Sequence, residues 1–243
     1  MQYWSITDTG CVRAQNQDAY LIEALDKNTL LCVVCDGMGG AKSGNVASTL
    51  AAEVFIQEVK RCWSADLNME KQDQILIGAV KLANFTVYDQ AMQFEEFTGM
   101  GTTLVAVLLQ GKSATVVNVG DSRTYHIGNG GIQQITTDHS LVQMMVDRGE
   151  LSPEQAKKYP GKNLITRAIG TESVVNCDVF HKTLLNNEYL LLCSDGLTNL
   201  VDDQEILFEV VHGQDRSQCC QRLVDIVKKR GAPDNVTAVL VAV

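Results

Sequence analysis

Proline is scarce in this chain, with three in 243 residues. That leaves no proline-rich linker, and neither a low-complexity stretch nor an internal repeat divides the sequence. Basic character is also lacking: 20 Lys and Arg stand against 29 Asp and Glu, a formal net charge of -9. Nucleic-acid binders carry a basic footprint, and none is visible here. The longest basic clusters, Lys157-Lys158 and Lys228-Lys229-Arg230, read as solvated helix surface. No apolar run is long enough to span a bilayer. The segment Met1-Gln2-Tyr3-Trp4-Ser5 lacks the basic and apolar regions of a signal peptide. Nucleic acid and membrane are therefore not expected as partners, and a cytoplasmic location is.

Several catalytic signatures are missing as well. None of the eight cysteines stands six residues before an arginine, which excludes the cysteine-dependent phosphatases. Gly111-Lys112-Ser113 lacks the earlier glycine of a phosphate-binding loop, because position 106 is alanine. There is no G-x-S-x-G elbow. The four histidines (His126, His139, His181, His212) show neither H-x-H nor H-E-x-x-H spacing. Cys32 and Cys35 form a lone C-x-x-C within an expected strand, where residues i and i+3 face opposite sides. With no second pair to complete a zinc site, the cysteines read as buried free thiols of a reducing compartment.

What is present is core material. A hydrophobic fraction of 45% supports one domain over residues 1–243. Strands are expected at Tyr3–Thr9, Ala19–Leu25 and Thr29–Cys35, followed by a flexible loop at Gly37-Met38-Gly39-Gly40. Ser43 is the expected N-cap of a helix reaching Cys62, and a second long helix covers about Glu70 to Gln93. Four short strands follow between Thr102 and Ile135, joined at Gln110-Gly111-Lys112, Gly120-Asp121 and Gly128-Asn129-Gly130. Such tight connections predict an antiparallel meander rather than a doubly wound fold. Asp138 or Ser140 caps a helix that Gly149 ends, and Ser152-Pro153-Glu154-Gln155 opens another. The polar stretch from Glu150 to Asn163 reads as a mobile excursion. Strands at Asp178–Lys182, Tyr189–Ser194 and Val236–Val243, with capping boxes at Asp202-x-x-Glu205 and Asp215-x-x-Gln218, complete the pattern. This order fits an α+β fold, a four-layer α-β-β-α sandwich: two antiparallel sheets packed face to face, with a helix pair outside each.

Three apolar runs each deliver an aspartate beside a glycine. Leu30–Cys35 leads into Asp36-Gly37, Val116–Val119 into Gly120-Asp121, and Tyr189–Ser194 into Asp195-Gly196. Near the C-terminus Asp234-Asn235 precedes the run Val236–Val243. One Asp-Gly pair alone is a turn dipeptide. Several carboxylates at the ends of buried strands repel one another unless a cation lies between them. The candidate ligands are Asp18, Asp36, Asp121, Asp195 and Asp234, with the Gly37 carbonyl. These hard oxygen donors suit magnesium or manganese rather than zinc.

Seven short motifs occur in order along essentially the whole chain. They are Arg13-Ala14-Gln15-Asn16-Gln17-Asp18, Asp36-Gly37-Met38-Gly39-Gly40, Gly101-Thr102-Thr103, Val119-Gly120-Asp121-Ser122-Arg123, Thr166-Arg167-Ala168-Ile169-Gly170, Ser194-Asp195-Gly196 and Asp234-Asn235-Val236-Thr237. In this the sequence resembles the metal-dependent protein serine/threonine phosphatases of the 2C type, in their compact bacterial branch. The resemblance implies hydrolysis of phosphoserine and phosphothreonine in phosphoproteins by metal-activated water, without a phosphoenzyme. Two Mn2+ or Mg2+ ions form the core site: Asp36 bridges them, the Gly37 carbonyl holds one, and Asp195 and Asp234 hold the other. Asp18 acts through water or at the edge of the pair. Bacterial members can bind a third ion, which matches Asp121 with Asp195. Arg13 holds the phosphoryl oxygens, a task that suits a guanidinium fork.

The excursion, taken as about 140–170, matches the family's flap. Met38 and Gln17 stand where eukaryotic members carry histidine and glutamate, a pair of changes common in bacterial members. The expected proton donor to the leaving oxygen is then water on the metal ions, with His139 as the competing candidate. Expected partners are phosphoprotein substrates, among them a serine/threonine kinase that the enzyme opposes, and the chain is expected to act as a monomer. The rival readings are a catalytically silent phosphatase-like binding domain and a developmental-switch phosphatase. The retained carboxylates and Arg13 speak against the first, and the lack of a sensor domain against the second.

Overall fold

The computed structural model describes residues 1–39, 43–128 and 130–243. Along the chain these form β1 (Gln2–Asp8), β2 (Asp18–Asp26), β3 (Thr29–Met38), α1 (Gly44–Cys62), α2 (Met69–Gln93), β4 (Gly101–Thr102), β5 (Leu104–Gln110), β6 (Ser113–Val119), β7 (Arg123–Gly128), β8 (Gly131–Gln134), α3 (Leu141–Asp147), α4 (Pro153–Ala156), β9 (Asp178–Thr183), β10 (Tyr189–Cys193), α5 (Asp195–Thr198), α6 (Asp203–His212), α7 (Cys219–Lys229) and β11 (Val236–Ala242). One sheet has the order β1-β11-β10-β7-β8, and the other β2-β3-β5-β6-β9, with β4 on the far end of β3. Every strand pair is antiparallel.

The sheets pack face to face, as the pattern of elements predicts. β3 shows why its apolar run is nearly continuous. Leu31, Val33 and Cys35 point outward onto Ala47, Ala51, Phe55 and Val87 of α1 and α2. Leu30, Cys32 and Val34 point inward, onto Leu190, Leu192, Val239 and Val241 of the opposing sheet. A strand buried on both faces has no polar side to show. Cys32 and Cys35 thus lie in different layers, and all eight cysteines are free. On the far side Ile206 and Val210 of α6 and Leu223, Val224 and Val227 of α7 cover Tyr125, Leu191, Cys193 and Leu240. Burying these three apolar layers is the main force holding the sandwich together.

Four local expectations need correction. Asp36, Gly37 and Met38 continue β3 instead of starting a loop, because Gly37 and Met38 pair with Thr102 and Gly101 of β4; Gly40 lies outside the described residues. Ser43 precedes α1 but makes no side-chain cap, since its hydroxyl donates to the Gly39 carbonyl. The meander is split. β5 and β6 form a hairpin in one sheet, while β7 and β8 belong to the other. Gly120-Asp121 is therefore a crossing between sheets and not a hairpin turn. Asn129, within the expected turn between β7 and β8, also lies outside the described residues. Finally, Asp215 caps a single 3-10 turn by accepting from the Ser217 amide at 2.9 Å, whereas Asp202 and Glu205 do form the expected reciprocal box.

Between β8 and β9 the chain leaves the sandwich and returns. Ser140 caps α3, Gly149 follows it at φ +73°, and Ser152 with Gln155 forms a capping box on α4. Neither helix buries a side chain. The ends of the excursion meet: the Leu141 amide donates to the Leu164 carbonyl (2.8 Å) and the Thr166 amide to the His139 carbonyl (2.7 Å).

Candidate active site

The strand ends converge on an open cavity of about 540 Å3. Its wall includes Asp36, Gly37, Asp121, Asp195, Asp234 and Arg13, five segments far apart in sequence. Asn163 and Ile165 of the excursion close one side. Asp36 is aimed by its backbone. Its amide donates to Thr103 Oγ1 (2.8 Å), and its carbonyl accepts from the Thr103 amide and Thr102 Oγ1 (both 2.9 Å). At Gly37 a Cβ would stand 2.1 Å from the Gly44 carbonyl oxygen and 2.5 Å from that of Gln17, so only glycine fits. Asp121 is brought in by the inter-sheet corner, where Gly120 takes φ +106° with Thr103 packed beneath it. Asp195 opens α5, and Asn199 Nδ2 donates to its Oδ2 (2.9 Å). Asp234 accepts from the Asn235 amide (2.9 Å) and from Arg13 Nη2 (2.7 Å).

Asp18 is placed differently. It pairs with Asp36 across β2 and β3 but does not line the cavity. Its Oδ2 accepts from Ser194 Oγ and Thr237 Oγ1, both at 2.7 Å, while among the described residues its buried Oδ1 has no partner. Sequence reasoning assigned no role to Ser194, Thr237 or Asn235. Asn235 stitches the Arg13 loop to β11: its Nδ2 donates to the Thr9 (2.9 Å) and Gln15 (3.0 Å) carbonyls, and its Oδ1 accepts from the Gln17 amide (2.8 Å). The available signal was the polar side chain lodged between an aspartate and an apolar strand.

The acidic set is electrostatically strained. Burial, followed by repulsion from Asp195 and Asp234, pushes the Asp18 carboxyl to about 7 despite its two hydroxyl donors. Asp121 rises to about 7 for similar reasons, burial first and then Asp195 and Asp138. Asp36 lies well above the ordinary carboxylate range through burial and four like charges, those of Asp18, Asp195, Asp121 and Asp234. Asp195 is also raised, by burial and then Asp234, although a hydrogen bond with Asp36 opposes this. Arg123, clamped by Asp138 through contacts of 2.6, 2.9 and 3.1 Å, offsets part of the charge on Asp121 and Asp195.

Among the described residues, no three acidic, histidine or cysteine side chains are drawn into a set that could hold a metal ion as they stand. The donors nevertheless fit a divalent cation. They are carboxylate oxygens beside the Gly37 carbonyl, their repulsion is only partly offset by Arg123 and Arg13, and among the described residues one buried oxygen of Asp18 lacks a partner. Arg13 sits at the rim with half of its side chain exposed, paired to Asp234. His139 is absent from the wall. Its Nδ1 accepts the Gly120 amide (3.0 Å), so Nε2 carries the ring proton and faces Asp178 Oδ2 (3.2 Å). Burial lowers its pKa. A neutral ring committed on both nitrogens is poorly placed to donate a proton to a substrate.

Comparison with known proteins identifies relatives along nearly the whole chain. Residues 12–240 match the family described as protein phosphatase 2C. The serine/threonine phosphatase stp of Listeria welshimeri is 35% identical over 235 residues, covering 97% of this chain and 93% of that protein. The crystal structure of serine/threonine phosphatase Stp1 from Staphylococcus aureus superposes with a TM-score of 0.91 at 39% identity, covering 100% of this chain and 94% of that one. The catalytic domain of the serine/threonine protein phosphatase PstP, solved with two manganese ions, gives a TM-score of 0.83 at 33% identity, with coverage of 98% and 96%. The match runs through every segment that supplies the cavity, and this chain belongs to the protein phosphatase 2C family.

Proposed function

We propose that this protein hydrolyses phosphoserine and phosphothreonine in phosphoproteins with the help of Mg2+ or Mn2+. The observation that carries the reading is the convergence of Asp36, Asp121, Asp195 and Asp234, with Arg13 at the rim, on one open cavity whose half-buried carboxylates have too little positive charge around them. Asp36, the Gly37 carbonyl, Asp195 and Asp234 would hold a pair of ions, and Asp121 with Asp195 a third. When bound, such ions acidify water and neutralise phosphoryl charge.

The protein's own groups do the rest. Arg13, half exposed and paired with Asp234, can turn its guanidinium fork to phosphoryl oxygens. Ser194 and Thr237 hold Asp18 behind Asp36, and Asn235 fixes the loop from which Arg13 reaches in. Asn163 and Ile165 narrow the mouth on the excursion side. The leaving serine or threonine oxygen takes its proton from water in the cavity, because His139 does not reach it. In this reading residues 1–243 are one catalytic domain, about 140–170 serve as a flap, and the protein works as a cytoplasmic monomer against serine/threonine kinases.

The test is turnover of an aryl phosphate and a phosphothreonine peptide with manganese, with chelator, and after Asp36→Ala. Manganese-dependent turnover lost in both controls is expected. Turnover that survives chelation overturns the metal reading, and phosphopeptide binding without turnover would favour the silent binding domain.

A further inference from the structure

The excursion is tied at its base to the corner that carries Asp121. His139 enters the excursion and Arg167 leaves it. The His139 amide donates to the Gly120 carbonyl (3.0 Å), and the Gly120 amide donates to His139 Nδ1 (3.0 Å). Asn118 Nδ2 adds a second donor to the same carbonyl (3.2 Å). On its other edge the imidazole meets Asp178 of β9, which also accepts from Arg167 Nη1 (2.8 Å). Arg167 Nη1 stands 3.0 Å from His139 Nε2. Both are donors once Nδ1 accepts from Gly120, so the Asp178 carboxylate is what holds them side by side. The His139 side chain is 7% exposed, while Arg167 and Asp178 are 35% and 40% exposed. A buried ring thus joins three things: the base of the excursion, the edge strand β9 and the crossing that aims Asp121.

We propose that His139 is a positioning residue that, clasped by Asp178 and Arg167, sets the Gly120-Asp121 corner and couples cation binding at Asp121 to the seating of the excursion. It touches neither substrate nor reacting atoms. Its effect passes through the Gly120 amide, as the partners behind metal ligands commonly act. The proposal rests on Asp121 holding a cation, as read above.

Asparagine at 139 keeps an acceptor near the Nδ1 position but cannot reach Asp178, and leucine removes both contacts. Manganese affinity measured by calorimetry and amide exchange of Gly120 measured by NMR are the readouts. In His139→Leu the manganese site that depends on Asp121 should weaken by about 10-fold or more, and Gly120 exchange should speed up by about tenfold. His139→Asn should restore slow Gly120 exchange and most of the affinity, a rescue that general loss of packing would not give. Asp178→Asn, at a half-exposed side chain, guards against a leucine variant that does not fold. It should loosen exchange of the Thr166 amide at the excursion base and weaken manganese by a smaller factor.

Asp121→Asn separates the two readings. If it leaves manganese binding unchanged, the metal role of Asp121 falls and the proposal with it. If it weakens binding while His139→Leu and Asp178→Asn do not, the proposal alone is overturned.

Discussion

Asp18 makes the protein less stable where the site is most charged, and this can be measured. Consider Asp18→Asn in metal-free protein. The carboxyl stands at about 7 in the folded chain against an ordinary 3.8, with burial the leading cause and repulsion by Asp195 and Asp234 behind it. Below 3.8 it is neutral in both folded and unfolded chains, so the amide should change little. As pH rises from 3.8 to about 7, the unfolded chain gives up its proton while the folded chain keeps it. Stability of the wild type therefore falls relative to the variant through that window and levels off above it. Moving one carboxyl from 3.8 to about 7 corresponds to roughly 4 kcal/mol. The amide oxygen can still accept from Ser194 and Thr237, and its nitrogen takes the side where Oδ1 has no partner. Denaturant melts with chelator at about pH 4.5 and about pH 8 are the assay. A variant more stable at the higher pH by a few kcal/mol, and by no more than about 1 kcal/mol at the lower, is expected. A difference independent of pH, or a variant weaker at the higher pH, would refute the reasoning.

Other outcomes follow from the same geometry. Arg13→Ala should lower kcat/KM for an aryl phosphate by about 100-fold or more, and Arg13→Lys should recover little because an ammonium lacks the fork; steady-state kinetics decides this. Asn235→Ala removes three hydrogen bonds and should destabilise by roughly 2–4 kcal/mol, seen in denaturant melts. Manganese binding near pH 6 should release protons, since Asp18 and Asp121 titrate at about 7, and the release should fade above about pH 8. Calorimetry in buffers of different ionisation heat measures it.

The layers of this fold were legible where one periodicity served one environment. The stripe Val46, Ala47, Leu50, Ala51, Val54 and Phe55 reads as a helix against a sheet and the run Leu30–Cys35 as a buried strand, and α1 and β3 lie there. The partition of strands between sheets was not legible. Alternation shows that β6 and β7 are strands, but a short link at Gly120-Asp121 reads as a hairpin whether the chain turns back or crosses over. Capping was readable when a helix followed directly, as at Asp202, and misleading when a 3-10 turn intervened, as at Asp215. Of the site, the aspartates were visible because acidic residues at the ends of apolar runs are costly. The Arg13–Asp234 pair and the Asn235 stitches link residues more than 200 positions apart, and no local pattern encodes them. Asp18, expected to act through water or at the edge of the metals, lies behind Asp36, held by hydroxyls from two other strands' ends.

The most direct test of the account is an anomalous difference map from crystals grown with manganese. The account predicts strong peaks bounded by Asp36, Asp195 and Asp234, with Arg13 released from Asp234. A well-ordered crystal with those carboxylates in place and no anomalous signal among them would contradict it.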